Sequence, residues 1–597
     1  MANPPPPYDN ITGISRAAMK DNAQVTLAEY DGNARPGELV VDQTTTTLYI
    51  GNALGDLTAV ATPGGVTTWA LLSDKTGASG PTIITLGQNA GFDGQANAAV
   101  ALGQNAGAGG QSGAAISIGL NAGGNTTQGV SAVAIGSSAG YDAQGISSVA
   151  IGEGAGLTNQ GNQSVAIGQN AGATQGASAV AIGVLAGQIT QGASSVAVGN
   201  SAGQTSQGIV AVAVGSRAGE TSQGAGAVAV GSTAGFQNQG ETAVAVGTQT
   251  GVTSQGVGAV AIGYSTGYIS QGTNAVAIGG AAGQTSQGNN AVAIGGSAGS
   301  YKQGEFSVAI GRDAGIGGEY TATYVSGAYP TGTTLVVNST TGIATGMFIS
   351  GNGFVTDQTV VTVTNSTTLQ ISASADSAPS GTLTFSGYQD SQAVAIGFFA
   401  GNTHQGTQSV AVGVGAGSNT QGIQSVAVGK QAGETTQGAY SVAVGDTAGQ
   451  TTQGTQSVAV GQRAGFANQG PSAVAIGAYA GNSAQGERTV AVGLGAGITS
   501  QGNSSIAIGA FAGNSSQGRY SIAIGSNAGD VNQANNSIIL NATNGPLNQT
   551  TANTFTVKPV RAVTSVTFAA PTAGSIPAGF SPMYYNPTTG EIIVITT

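Results

Sequence analysis

The strongest constraint on this chain is a phrase of sixteen residues repeated along most of its length. The stretch SSVAVGNSAGQTSQGIVAVAVGSRAGETSQG, Ser194 to Gly224, gives it twice. With the glycine that ends each VAVG or VAIG as marker, copies fall at 87, 103, 119, 136, 152, 168 and 183, then every sixteen residues to 311. They resume at 397, keep the same interval to 525, and close on a decayed copy, SIILN, with Asn541 in the glycine position: fifteen copies, then ten. Two spacings deviate by one residue. GGNTTQG, ending at Gly129, is one longer, GATQG, ending at Gly176, one shorter, and both changes fall in the same turn. A turn absorbs an insertion that a packed strand cannot.

Within a copy, S-V-A-V-G alternates small and branched residues, the period of a β-strand. Val196 and Val198 point one way, Ser195 and Ala197 the other. The branched face is expected to be the interior, so Val444 is read as a core residue. A second small step, Ala202-Gly203, leads into the turn TSQG. Sixteen residues are too few for an independent core and suit one rung of a solenoid that pairs with the rungs on either side. Rungs about 4.8 Å apart would give a rod of roughly 120 Å. Glutamine recurs just before the turn glycine, from Gln128, Gln144 and Gln160 to Gln501, Gln517 and Gln533. Amides stacked at rung spacing are expected to bond along the axis as a ladder.

Composition alone would point elsewhere. Charged residues are 6 % of the chain and glycine contributes 103 of 597 residues; without a period this would read as disorder. Regularly spaced Val and Ile point instead to a continuous stacked core. The net charge of −11 argues against nucleic acid, and no basic cluster offers a handle for a membrane surface. There is no cysteine, hence no disulfide framework. MANPPPPYDN has neither the basic stretch nor the apolar core of a secretory signal. No run approaches the roughly 18 apolar residues of a spanning helix. Synthesis in a cytoplasm is expected, without membrane insertion.

The SVAIGxxAGxxxQG repeat, from Gly87 to Asn541 with one interruption, resembles the head repeats of trimeric autotransporter adhesins, the YadA-like head. The resemblance implies a left-handed parallel β-roll assembled three chains wide, with the Ser and Ala face letting chains approach closely. The signal peptide, coiled-coil stalk and membrane barrel of that family are not expected here, so its head architecture is expected to carry over without its membrane anchor. GNARPGELVVDQTTTTLYIGN (Gly32 to Asn52) is similar to a short β-unit of phage tail-fibre and virion structural proteins. NSIILNAT, TANTFTVKPVR and MYYNPTTGEIIVIT resemble the segment that closes viral fibre shafts.

The fold class expected is therefore all-β: a left-handed parallel β-roll of 16-residue rungs in a homotrimeric fibre, with a small inserted β domain and β-rich ends. Residues 1–75 read as a virion-attachment unit, with a polyproline arm at Pro4 to Pro7, a hairpin of Leu39–Val41 and Leu48–Ile50, and Trp69 as a packing anchor. Residues 76–318 are a first shaft segment. Residues 319–390 are an inserted β-sandwich or barrel, and 391–541 a second shaft segment. Residues 542–597 are a cap with a hairpin turn at Asn586 to Gly590.

Chemistry is scarce. The single histidine, His404, falls in a turn position filled elsewhere by Ser or Thr and is expected to be exposed. The acids are scattered over different repeat positions, without the paired carboxylates a glycosidase requires. No catalytic residue, metal or cofactor is expected, and the chain is read as a non-enzyme. The repeat's aromatic outliers are sharper: Phe398 and Phe399, Tyr264 and Tyr268, Tyr479 and Phe511 replace small residues just after the strand. Exposed aromatics stack on sugars and other partners. Phe354, Phe398, Phe399, Tyr584 and Tyr585 are the candidate host contacts. The leading expectation is a structural virion fibre. Its partners would be two further copies, other virion proteins at the N-terminal unit, and a host-surface glycan or protein. A bacterial adhesin head and a fibre-borne glycan depolymerase are the alternatives. An ice-binding solenoid would need a flat Thr-x-Thr array, and the turns read TSQG or TTQG instead.

Overall fold

The computed structural model describes residues 39–42, 47–51, 57–59, 83–317, 319–327, 332–340, 343, 347–560 and 583–594. All secondary structure among them is β, without a helix. The polyproline arm and Trp69 lie outside the described residues. The chain divides into two compact units, 1–195 and 196–597.

The first unit opens with strands Leu39–Asp42, Thr47–Gly51 and Leu57–Ala59, paired antiparallel in sequence order. Its seven rungs follow, from Ile84–Leu86 to Val180–Ile182, each pairing in parallel with the next. The two irregular spacings leave that ladder in register: Ile116 still faces Val133, and Val165 faces Val180. The second unit carries eighteen rungs, from Val196–Val198 to Ile538–Asn541, in the same parallel register. A further strand at the glutamine, such as Thr205–Gln207, pairs in parallel with its equivalents in adjacent rungs, apart from the sheet of Val and Ile strands.

The interior differs from expectation. The buried face of the strand is Ser and Ala: Ser195, Ala197 and Ala202 are fully buried. The flanking valines and isoleucines are half-buried and face out, and in Val442–Val444 it is Ala443 that lies inside. The reason is volume. A Cβ on Gly235 would lie 3.1 Å from the Cβ of Ala229 and 2.7 Å from the Gln239 amide oxygen. A roll closed in sixteen residues brings its walls too near for branched side chains. The small face therefore fills the roll, and Val and Ile form two outward rows, at positions such as Val442 and Val444, repeated rung after rung.

The glutamines complete the core. Gln255 is buried and donates from Nε2 to Val244 O at 2.8 Å and to the Gln271 amide oxygen at 3.0 Å. The side-chain ladder runs unbroken from Gln207 through Gln303, Gln389 and Gln405. It lapses at Gln421, Gln437 and Gln453, whose amide oxygens have no partner.

Residues between Gly317 and Gly387 leave this stack through one turn. Six strands, from Glu319–Gly327 to Thr382–Ser386, close into an antiparallel barrel. Leu335, Met347, Leu369, Leu383 and Phe385 are fully buried in it. Closure leaves no free sheet edge. Entry and exit touch, since a Cβ on Gly317 would lie 2.6 Å from Gly387 O. The rungs on either side pair as though nothing intervened, Val308 with Val394 and Ile310 with Ile396. At the far end Phe555–Lys558 adds one parallel strand to the stack, and the hairpin of Met583–Tyr585 and Glu591–Val594 pairs onto it antiparallel.

Candidate functional site

Each rung turns at its marker glycine. Gly445 holds φ at 134°, and a Cβ there would meet Gly461 O at 2.5 Å, so side chains are excluded. The second residue after it is left-handed in rung after rung. In the first unit this position is mostly asparagine, which tolerates the conformation, and Asn89, Asn105 and Asn121 bond along the axis at 3.0–3.1 Å. In the second unit the position holds Phe399, Arg463, Tyr479 and Phe511 at φ of 55–60°. A bulky side chain there is an outlier, disfavoured by about 1 kcal/mol relative to ordinary backbone. Strain of this kind is more often kept for a task than for stability.

These corner positions build a groove along the second unit. At one end Phe398 and Phe399 stack with centroids 4.1 Å apart and tilted by 56°, each more than a third exposed (39 % and 38 %). The guanidinium of Arg312 lies 5.4 Å from the Phe398 ring. At the other, Arg463 sits between Phe466 and Tyr479, at 4.5 and 5.6 Å. Between them lie Lys430, Gln431, Glu434, Asp446 and Gln450. Glu434 accepts from Gln431 at 3.1 Å and from Gln450 at 2.5 Å. Two hollows of about 210 and 370 Å³ follow one another here and share Lys430 and Gln431. Among the described residues the ion pairs are Arg217–Glu220, Arg312–Asp313 and Arg488–Glu487. Lys430, Asp446 and Arg463 thus have no ionic partner among the described residues, and Arg463 Nε is buried without a hydrogen-bond acceptor.

A second cluster lies where the barrel's exit strand rejoins the rungs. His404 is buried, contrary to expectation, because the ring of Tyr388, on the returning chain, packs edge-on against it at 5.2 Å and 89°. Its Nδ1 has no partner, and burial pushes its pKa down to about 4. Asp390 occupies a position that is glycine in most rungs. Burial pushes its carboxyl up to about 6, although it accepts from Thr407 and Tyr388, which act in the opposite direction. Tyr388 is itself held above the ordinary phenol range, by burial first and then by Asp390.

The residues singled out from sequence do not converge. Phe354, a candidate host contact, is 7 % exposed and belongs to the barrel core, with Leu335, Val360 and Leu383; it opens the strand Phe354–Val363, which turns this side chain inward. Phe398 and Phe399 stand at the groove. Tyr584 is exposed on the terminal hairpin, while Tyr585 turns inward and its hydroxyl donates to Val557 O at 3.4 Å. Lys430, Gln431, Glu434, Arg463 and Phe466 were missed. They are unremarkable within their own repeats and stand out only when consecutive rungs are aligned as columns. Comparison with family models, with curated proteins and with solved structures returns no match to this chain.

Proposed function

We propose that the chain is one protomer of a trimeric virion fibre whose shaft carries host-binding surfaces. The observation that carries this reading is the pair of outward Val and Ile rows. Contiguous apolar surface of that extent marks an interaction face. Covering the exposed part of each such side chain is worth about 0.5–1 kcal/mol. Two rows through eighteen rungs then outweigh an association penalty of about 4–15 kcal/mol. Parallel copies bring like rows together along the whole stack, whereas a low charge offers no alternative means of keeping them apart in solution. The resemblance of the repeat to adhesin heads and of both ends to viral fibres supports the trimer and the virion respectively. The closed barrel, hung from one turn without disturbing the shaft, is suited to presentation three times over, where avidity adds 10²–10⁴-fold as an order of magnitude. Sedimentation of the purified chain tests the assembly: a parallel trimer is expected, and a stable soluble monomer overturns it. Labelling the N-terminus on intact particles tests the virion role. Deleting 319–390 and rejoining the rungs should preserve the trimer and reduce host attachment.

A further inference from the structure

We propose that the groove from Phe398 to Tyr479 binds a neutral, extended oligosaccharide, an assignment that deepens the host-attachment reading and rests on it. Four observations converge. First, aromatic rings bound the groove at both ends, at Phe398/Phe399 and at Phe466/Tyr479, and offer apolar faces to apolar faces of sugar rings. The five rung steps between Phe399 and Tyr479 span about 24 Å. The rise of one pyranose in an extended chain is close to one rung, so successive sugars would meet equivalent positions of successive rungs. Second, the floor between the rings is lined by groups that bond hydroxyls in pairs: the Gln431–Glu434–Gln450 network, with Lys430, Asp446 and Arg463 unpaired by any ion among the described residues. Third, those charges balance, Lys430 and Arg463 against Glu434 and Asp446, which favours a neutral ligand over a polyanion. Fourth, Phe399, Arg463 and Tyr479 occupy left-handed corners where asparagine would be at ease, so the backbone of the shaft does not call for these side chains.

A peptide is a poorer fit. The backbone here is paired with rungs on both sides and leaves no edge for strand addition, and the hollow lined by Lys430, Asp446, Gln450 and Arg463 is too polar to be a socket for an apolar anchoring side chain. None of the residues lining the groove belongs to the Val and Ile rows through which the proposed assembly is made.

The test uses the full-length protein and calorimetric titration with linear gluco-, manno-, xylo- and galacto-oligosaccharides of four to six units, with oligogalacturonate as the charged comparator. Binding of at least one neutral series is expected. Phe399→Asn and Tyr479→Asn should each weaken it at least tenfold while melting no lower than the parent, because asparagine suits the left-handed corner. Absence of binding in every neutral series, tighter binding of oligogalacturonate, or undiminished binding by the double variant overturns the proposal. Sedimentation of the same samples separates the two readings. A trimer that binds no saccharide removes the groove and leaves the fibre; a saccharide-binding monomer does the reverse.

Discussion

The only histidine of the chain makes the barrel–shaft junction a proton-linked element whose two titrating groups act against each other. His404 has a pKa of about 4 in the fold against 6.5 when unfolded. Between those values the unfolded chain holds a proton that the fold does not, so stability is complete above pH 6.5 and is lost progressively as pH falls to 4. The full difference is about 3 kcal/mol, of which about 2 is lost by pH 5. Asp390 is displaced the other way, to about 6 from 3.8. The fold binds the extra proton, so acidification from pH 6 towards 3.8 is stabilising. Asp390 is only partly buried, and screening at its open side reduces this gain to about 1 kcal/mol at pH 5. The parent should therefore lose only about 1 kcal/mol at the junction between pH 7 and 5. Asp390→Asn should expose the histidine contribution and lose about 2 kcal/mol, roughly a thirtyfold fall in protection. His404→Thr, which installs the residue found there in neighbouring rungs, should reverse the slope and gain about 1 kcal/mol. Amide hydrogen exchange over residues 387–407, corrected for intrinsic rates, reads all three. Equal slopes in the three proteins, or a steeper acid loss in His404→Thr, would refute the reasoning.

Ala443→Leu forces a branched side chain into the closed roll and should destabilise its rung by about 1–3 kcal/mol, seen as a lower melting temperature. Val444→Asp should leave the β signal of the chain intact and instead weaken assembly, measured by sedimentation; the converse pattern would place valine inside. Gln255→Met breaks a continuous ladder, leaving the Gln271 oxygen without its donor, and should cost about 2–3 kcal/mol. Gln437→Met, where no ladder bond exists, should cost about 1 kcal/mol. Identical losses in denaturant titrations would show that the ladder adds nothing.

Much of the architecture was legible because register is unforgiving. A rung pairs only if the next arrives in phase, so the sixteen-residue interval, the turn that tolerates one residue more or less, and an insert that leaves Val308 opposite Val394 could all be read from spacing. Which strand face lies inside could not. Alternation separates Val442 and Val444 from Ala443, but the choice between them is made by the width of the closed roll, a property of the whole rung. His404 was misjudged because its cover, Tyr388, comes from beyond the barrel. The same holds for Phe354, whose inward turn depends on barrel closure. The groove escaped because a column is visible only across chain segments sixteen residues apart; Lys430 and Arg463 have no local signature.

The undisturbed pairing across the inserted barrel has a hereditary consequence. Each rung is one sixteen-residue phrase, so the chain can lose or gain whole repeats without losing register. Loss or gain of a whole repeat would return the glutamine row, the glycine corners and the outward rows to the same positions, changing length in steps of about 4.8 Å and leaving the fold alone. Reach is thus a quantity this protein can inherit in discrete increments. The turns accept a new domain on the same terms, so length and cargo are free to evolve apart.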